Sequence, residues 1–272
     1  MPTKKIENRL RKSIGKRLGM VEYYMVNASV VILTKNEDKN IGKCLDYLRN
    51  FKEIIVMDDF SSDNTVKIAK EHGAIVYSNK LTSFSKQRNF GMSKSSFDWV
   101  LFIDADEYID DKFEAEINKV TIENIYDGFY VRRIDTFLGK KMNFGDLKDV
   151  WILRLAKKDK GIWIGAVHEV WKVDGNISRL TNNIIHIPHR TISEFISKLN
   201  YYSEIRAKEL YEKHIKVTYI QIVFYPLFKF IYLYFIKFGF LDGLHGFVHA
   251  ILMSFYSYAT RSRLYLLNNS EK

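Results

Sequence analysis

Three short apolar runs, each breaking abruptly into polar and acidic residues, constrain this chain more than any other feature. They are Val30–Leu33 before Thr34–Asp38, Ile54–Met57 before Asp58 and Asp59, and Trp99–Ile103 before Asp104, Asp106 and Glu107. Runs this short are too brief for a helix core and read as strands buried on both faces. Helical spacing fills the gaps between them: Ile41, Cys44, Leu45 and Leu48, then Thr65 to His72 with Gly73 closing the turn, then Phe84 to Ser93. A further strand is expected at Ala74–Tyr77. Strand and helix alternating in short steps imply right-handed βαβ units, an α/β fold and a parallel sheet. In such a sheet the acid-bearing loops gather at the C-terminal strand edge, where ligands of open α/β sheets bind. Asp104 and Asp106 are two residues apart, so in extended chain both carboxylates leave one side of the backbone. Hard oxygen ligands of this kind suit Mg²⁺ or Mn²⁺, which can in turn grip a diphosphate. A solvated acidic turn is the bland alternative for that loop taken alone.

Several function classes are disfavoured by what accompanies these loops. No Gly-x-Gly-x-x-Gly follows the first strand and no phosphate-cradling loop ends in Gly-Lys-Ser/Thr, so dinucleotide redox chemistry and the usual ATPase site have little support. The lone cysteine, Cys44, allows no disulfide framework, fits a reducing compartment and is read as core. The net charge of +10 admits nucleic acid, anionic lipid or phosphorylated substrates as partners. Acids at the binding edge repel a nucleic-acid backbone, so no nucleic acid is expected. Residues 1–20 carry Lys4, Lys5, Arg9, Arg11, Lys12, Lys16 and Arg17 against Glu7 alone, with Ile6, Leu10, Ile14 and Leu18 on one helical stripe. That is the pattern of a cationic helix lying on a membrane, or of a tail packing on its own domain. No apolar segment follows it as in a signal peptide.

Four blocks, in order, resemble a known family: Val30-Val31-Ile32-Leu33-Thr34-Lys35-Asn36-Glu37, Val56-Met57-Asp58-Asp59-Phe60-Ser61-Ser62-Asp63-Asn64-Thr65, Lys86-Gln87-Arg88-Asn89-Phe90-Gly91 and Asp104-Ala105-Asp106-Glu107. The chain is similar to family 2 glycosyltransferases of the GT-A fold, and more narrowly to the bacterial branch that adds sugars to lipopolysaccharide inner core. Gly165-Ala166-Val167-His168-Glu169 and the segment Gly239–Phe247 also look like that branch. The resemblance implies a mostly parallel, Rossmann-like sheet flanked by helices, and a metal-dependent inverting transfer from a nucleoside-diphosphate sugar, UDP-linked by preference. It implies Thr34, Asn36 and Glu37 around the base and ribose, Asp58 or Asp59 at the base, and Arg88 at the base or diphosphate. Asp104 and Asp106 become the Asp-x-Asp motif, with Asp106 the direct ligand of Mn²⁺ or Mg²⁺. Phe60 departs from the pattern, standing where the family commonly has glycine. An inverting transfer needs a base across the sugar from the metal. Glu169 is the preferred base, with His168 orienting it or the acceptor, and the reverse assignment stands beside it.

Residues 121–190 read as strands and loops, including Gly128–Arg133, Val150–Leu155 and Gly161–Ile164. Trp151 and Trp163 are read as core rather than sugar platforms, and His186 and His189 as histidines satisfied by local hydrogen bonds rather than a metal pair. Helices are expected over Ser193–His214, over the aromatic Ile222–Ile236 and over Gly246–Leu267. Pro226 and Lys229 interrupt the middle one, which favours a hairpin immersed in a membrane interface over a span; a buried helix or dimer interface is the alternative. The expected organisation is therefore a basic segment (1–27), a nucleotide-sugar-binding catalytic domain (28–190) and a helical, membrane-associating C-terminal extension (191–272). The expected partners are a nucleotide-sugar donor, a lipid-borne saccharide acceptor, the inner face of the cytoplasmic membrane and, as an option, a second copy of the chain. A nucleotidyltransferase on a related sheet and a non-catalytic basic protein are the competing readings.

Overall fold

The computed structural model describes residues 25–148, 150–165, 169–187 and 191–269; the N-terminal stripe, His168 and His189 lie outside the described residues. The strands are β1 (Val26–Thr34), β2 (Phe51–Asp58), β3 (Ile75–Ser78), β4 (Trp99–Asp104), β5 (Glu107–Tyr108), β6 (Gly128–Phe137), β7 (Lys140–Lys141), β8 (Val150–Lys157), β9 (Gly161–Ile164), β10 (Val170–Val173) and β11 (Ile177–His186). The first four helices are α1 (Ile41–Asp46), α2 (Thr65–Glu71), α3 (Phe84–Ser93) and α4 (Asp111–Glu123). One sheet runs β3-β2-β1-β4-β8-β6-β11-β5, with β7 on β6. The half formed by β3, β2, β1 and β4 is parallel, as the alternating pattern requires. Beyond β4 the sheet is mixed rather than mostly parallel: β8 runs antiparallel to both β4 and β6, while β11 is parallel to β6. The cause is the connection between β6 and β8, which doubles back without a crossover helix.

Both faces of the centre of the parallel half are covered, which is why Val30–Leu33, Ile54–Met57 and Trp99–Ile103 are unbroken apolar runs rather than alternating. Val30, Ile32, Leu101 and Ile103 point into a core shared with Ile41, Cys44 and Leu45 of α1 and Phe113 and Ile117 of α4. Val31, Met57 and Phe102 point the other way, toward Phe90 of α3 and toward Trp163 and Trp171 of the β9–β10 hairpin. Those two tryptophans stack across the hairpin at 5.3 Å, and the Phe102 ring meets both edge-on. Trp163 and Cys44 are thus core residues, as read from sequence. Helix α4 was not anticipated, although Asp110 caps it and Phe113 and Ile117 carry its apolar face.

Three longer helices follow: α5 (Ile192–Glu212), α6 (Tyr219–Ile231), continued by a π-helical turn over Tyr232–Ile236, and α7 (Leu244–Asn269). Capping boxes at Thr191 with Glu194 and at Thr218 with Gln221 start the first two. A 3₁₀ turn at Gly239–Asp242 bends the chain into α7. A Cβ on Gly246 would stand 1.9 Å from the Gly239 carbonyl oxygen, so only glycine lets α7 begin against that turn. The turn is fastened to the sheet domain: the Asp242 carboxylate accepts from the Asn143 and Phe144 amides at 3.1 and 2.9 Å, and Lys229 reaches Asp146 at 3.3 Å. Tyr219–Ile236 is long and apolar enough to cross a membrane, with mean hydropathy 1.5, and only 6% of it is buried.

Candidate active site

Strand register brings the acid-bearing loops together. Leu33 of β1 lies opposite Asp104 of β4, and Thr34 lies opposite Asp58 of β2. Across the two loops the hydrogen bonds interlock. Asp58 is buried and accepts from the Thr34 hydroxyl at 3.2 Å, the Ser61 hydroxyl at 2.5 Å and the Ser61 amide at 2.9 Å. Asn36, at φ 55°, accepts from the Ser62 amide at 2.8 Å. Asp59 accepts from Lys35 at 2.6 Å and from the Leu81 amide at 2.9 Å; burial would raise its pKa, but those bonds outweigh it and leave it below the ordinary value. Burial pushes Glu37 upward against its bond from Asn40. Phe60 takes φ 51°, the left-handed conformation that a glycine would supply, with its ring exposed.

Helix α3 explains its own motif. Gln87 pairs with Asn79 after β3, and Asn89 exchanges two hydrogen bonds with the Trp163 backbone of β9, both at 2.9 Å. A Cβ on Gly91 would meet Val31 at 2.6 Å, so glycine lets the helix lie directly on β1. Between these fixings Arg88 is buried over the Trp163 ring at 4.7 Å. Its guanidinium donates to Asp104 and to Glu169, each at 3.1 Å. Arg88, Asp104 and Glu169, singled out on separate segments, thus meet at one point.

Sequence reasoning missed the groups that complete this centre. Arg154 of β8, buried, donates to Asp104 at 2.5 Å and to Glu107 at 3.1 Å. Glu107 is fully buried and accepts from the Asp104 amide at 2.9 Å, which fixes the turn after β4. His186 of β11 lies opposite Glu107 on one side and Asp135 on the other. Its Nδ1 is 2.5 Å from Asp135 and its Nε2 3.4 Å from Asp106, so its partners are far in sequence rather than local. Burial would lower the His186 pKa, but Asp106 and Asp135 outweigh it and raise it to about 9, so the ring is protonated at neutral pH. Burial likewise opposes ionisation of Asp104, yet Arg154 and Arg88 hold it far below the usual carboxylate range. His186 also holds Asp106 below its ordinary value, against burial. Five carboxylates (Asp104, Asp106, Glu107, Asp135, Glu169) face four cations (Arg88, Arg133, Arg154, His186) in one connected network.

No group of three His, Cys, Asp or Glu side chains able to enclose a metal ion occurs among the described residues. Mg²⁺ and Mn²⁺ need no such cage when one or two carboxylates are joined by water and substrate phosphates. The donor set fits that pattern through Asp106, because both oxygens of Asp104 are engaged by arginines.

Residues 29–170 match the family described as Glycosyl transferase family 2. An uncharacterized glycosyltransferase of Rickettsia typhi is 28% identical over 257 residues, covering 88% of this chain and 87% of its own. Lipopolysaccharide core biosynthesis glycosyltransferase LpsC of Rhizobium meliloti is 25% identical over 246 residues, covering 87% and 91%. Among solved structures, glucosyl-3-phosphoglycerate synthase from Mycobacterium tuberculosis, in complex with Mn²⁺, UDP and phosphoglyceric acid, aligns with TM-score 0.47 and 17% identity over 71% of this chain and 80% of that one.

Proposed function

The chain belongs to glycosyl transferase family 2 and is a glycosyltransferase, and from that premise we propose a metal-dependent inverting transfer from a UDP-sugar to a lipid-borne saccharide of the lipopolysaccharide-core kind. The observation that carries the reading is the meeting of Asp104, Arg88 and Glu169 at the C-terminal end of β4, beside the Thr34–Asp58 loop pair, with Asp106 held by His186 in the turn that follows. The likeness to LpsC supports the acceptor class. Asp106 would hold the divalent ion, with Asp104 fixed behind it by Arg88 and Arg154. When bound, the ion supplies positive charge to the leaving diphosphate. Thr34, Asn36, Glu37 and Asp59 would form the wall for base and ribose, with Asp58 holding that wall in shape. Arg88 grips Asp104 and Glu169 with one guanidinium, which keeps the donor end and the base at a fixed separation. The acceptor oxygen bonds to the anomeric carbon while the bond from that carbon to the diphosphate breaks, and Glu169 takes the hydroxyl proton. His168 would orient Glu169 or the acceptor.

A membrane surface is the proposed setting, on the cytoplasmic side. Over Tyr219–Leu241 the chain has no acidic residue, and Ile220, Val223, Phe224, Phe228, Phe235 and Ile236 are all exposed. Lys229, midway along Tyr219–Ile236, is ion-paired to Asp146 of the sheet domain. A residue tied in that way does not sit at a bilayer centre, which supports a helix lying in the interface over one that spans. The assay for the whole reading is a screen of nucleotide sugars with full-length protein and Mn²⁺ or Mg²⁺, following nucleotide release. UDP-sugars should be turned over and a chelator should stop it. Undiminished release under chelation would remove the metal from the mechanism, and silence with every donor would remove the donor class.

A further inference from the structure

Between α5, α6 and α7 lies a cavity of about 420 Å³, remote in sequence from the catalytic loops. Four cations line it, Arg206, Lys216, Lys229 and Arg261, and no carboxylate does among the described residues. Glu209 pairs with Arg206 and Asp146 with Lys229, but both acids stand behind those cations, outside the lining. Arg261 is held in place by its stack on the Tyr225 ring at 4.0 Å and by the Ser257 hydroxyl at 2.8 Å. Leu210, Ile215, Met253 and Leu264 supply an apolar stretch of the wall, beside the polar Gln221 and Thr260. Tyr225 of the wall is flanked along α6 by Phe224 and Phe228, whose rings are exposed.

We propose that this cavity binds one molecule of anionic phospholipid, the phosphate among the four cations and the upper acyl chain along the apolar wall. A neutral lipid would offer Lys216 and Arg261 no counter-charge, whereas Arg206 and Lys229 already have Glu209 and Asp146. A small soluble anion would make no use of the apolar wall. A second copy of the chain would bring like charge to like charge, because residues 216–269 carry Asp242 as their single acid, against Lys216, Lys229, Lys237, Arg261 and Arg263. The proposal deepens the membrane setting by assigning lipid choice to a built site rather than to diffuse attraction.

The test titrates full-length protein with short-chain phosphatidylglycerol below its micelle threshold, then with vesicles of phosphatidylcholine with or without phosphatidylglycerol. Wild type should bind the monomeric lipid saturably, one per chain, and prefer the anionic vesicles. Lys216→Glu, at an exposed side chain, and Lys216→Glu/Arg261→Gln should melt with wild type, and the pair should weaken monomeric binding by roughly 10- to 30-fold. The same pair should bind pure phosphatidylcholine vesicles as wild type does. Glycerol phosphate should compete far more weakly than the lipid; equal competition would replace the lipid by a bare phosphate and overturn the proposal. Absent monomeric binding, or binding that both variants retain, would overturn it too. Saturable lipid binding without vesicle binding would instead refute only the membrane setting on which the proposal rests.

Discussion

Replacing Arg154 by methionine tests whether the charged centre is dry. Arg154 is 5% exposed, and one of its nitrogens serves both Asp104, at 2.5 Å, and Glu107, at 3.1 Å. Methionine fills similar volume, so the change removes charge and hydrogen bonds rather than packing. Asp104 would keep Arg88, and Glu107 would keep the Asp104 amide with Arg133 at 3.8 Å. Breaking a buried ion pair from one side costs about 3–5 kcal/mol, because a charge is left uncompensated. At about 2 °C per kcal/mol for a domain of this size, the melting temperature should fall by about 6–10 °C. The pH dependence supplies a second reading with a fixed sign. Asp104 is held far below its ordinary pKa in the wild type, so its stabilisation is full above the unfolded pKa of about 3.9 and is lost progressively as pH falls below it. Without Arg154 its native pKa moves toward or above the unfolded value, and protonation relieves the fault. The gap between variant and wild type should therefore narrow as pH falls toward about 4. Adding Glu107→Gln should recover part of the loss, since it neutralises the second carboxylate that loses Arg154 as a partner. Circular dichroism melts across pH measure all three effects. If Arg154→Met melted with wild type at every pH, the network would be hydrated and the burial argument wrong.

Three further outcomes follow from the same geometry. Glu169→Gln should lower the transfer rate by roughly 10²-fold or more while leaving UDP affinity almost intact, read by turnover and calorimetric titration; normal turnover would place the base elsewhere. His186, raised to about 9, contributes stability that is full below the unfolded pKa of about 6.5 and is lost as pH rises through about 9, on the order of 3 kcal/mol in all; His186→Gln should flatten that alkaline decline in melting temperature. Gly91→Ala, whose Cβ would meet Val31 at 2.6 Å and Met57 at 2.9 Å, should cost about 1–3 kcal/mol by lifting α3 from the sheet. It should also slow turnover by displacing Arg88.

What could be read from the sequence follows a physical divide. The parallel half was legible because three of its four strands hold apolar runs that break into acid-bearing loops, and strand register alone then carries Thr34, Asp58 and Asp104 to one edge. The Lys86–Gly91 motif was legible as a unit, but not why it is one: Gln87, Arg88, Asn89 and Gly91 each fix a different contact of the same helix. His186 and Asp135 were not legible, since neither is unusual locally and only the β6–β11 pairing joins them. Arg154 did leave a signal, a charge inside the apolar run Val150–Leu155, and a buried partner should have been sought for it. The exchange from parallel to mixed pairing beyond β4 depends on how β6 and β8 connect, and hydrophobic pattern does not encode that.

The balance of charge at the centre reconciles a chain of net charge +10 with acids at its binding edge. Were those acids free, they would repel a diphosphate; were the arginines free, they would bind it without discrimination or release. With five carboxylates against four cations, the network stands close to neutral and each member is held by another. A small change then decides the sign of the field. One divalent ion on Asp106 would turn a slightly negative centre into a slightly positive one, favouring a bound nucleoside diphosphate only while that ion is present. The same near-balance makes the arrangement sensitive to the loss of any single member, because every charge there is held by a partner and Arg88, Arg154, Glu107 and Asp135 are buried. On this reasoning Arg88 and Arg154 act chiefly by holding Asp104 in place. Replacing either should weaken nucleotide binding through a displaced carboxylate even when the divalent ion is supplied in excess.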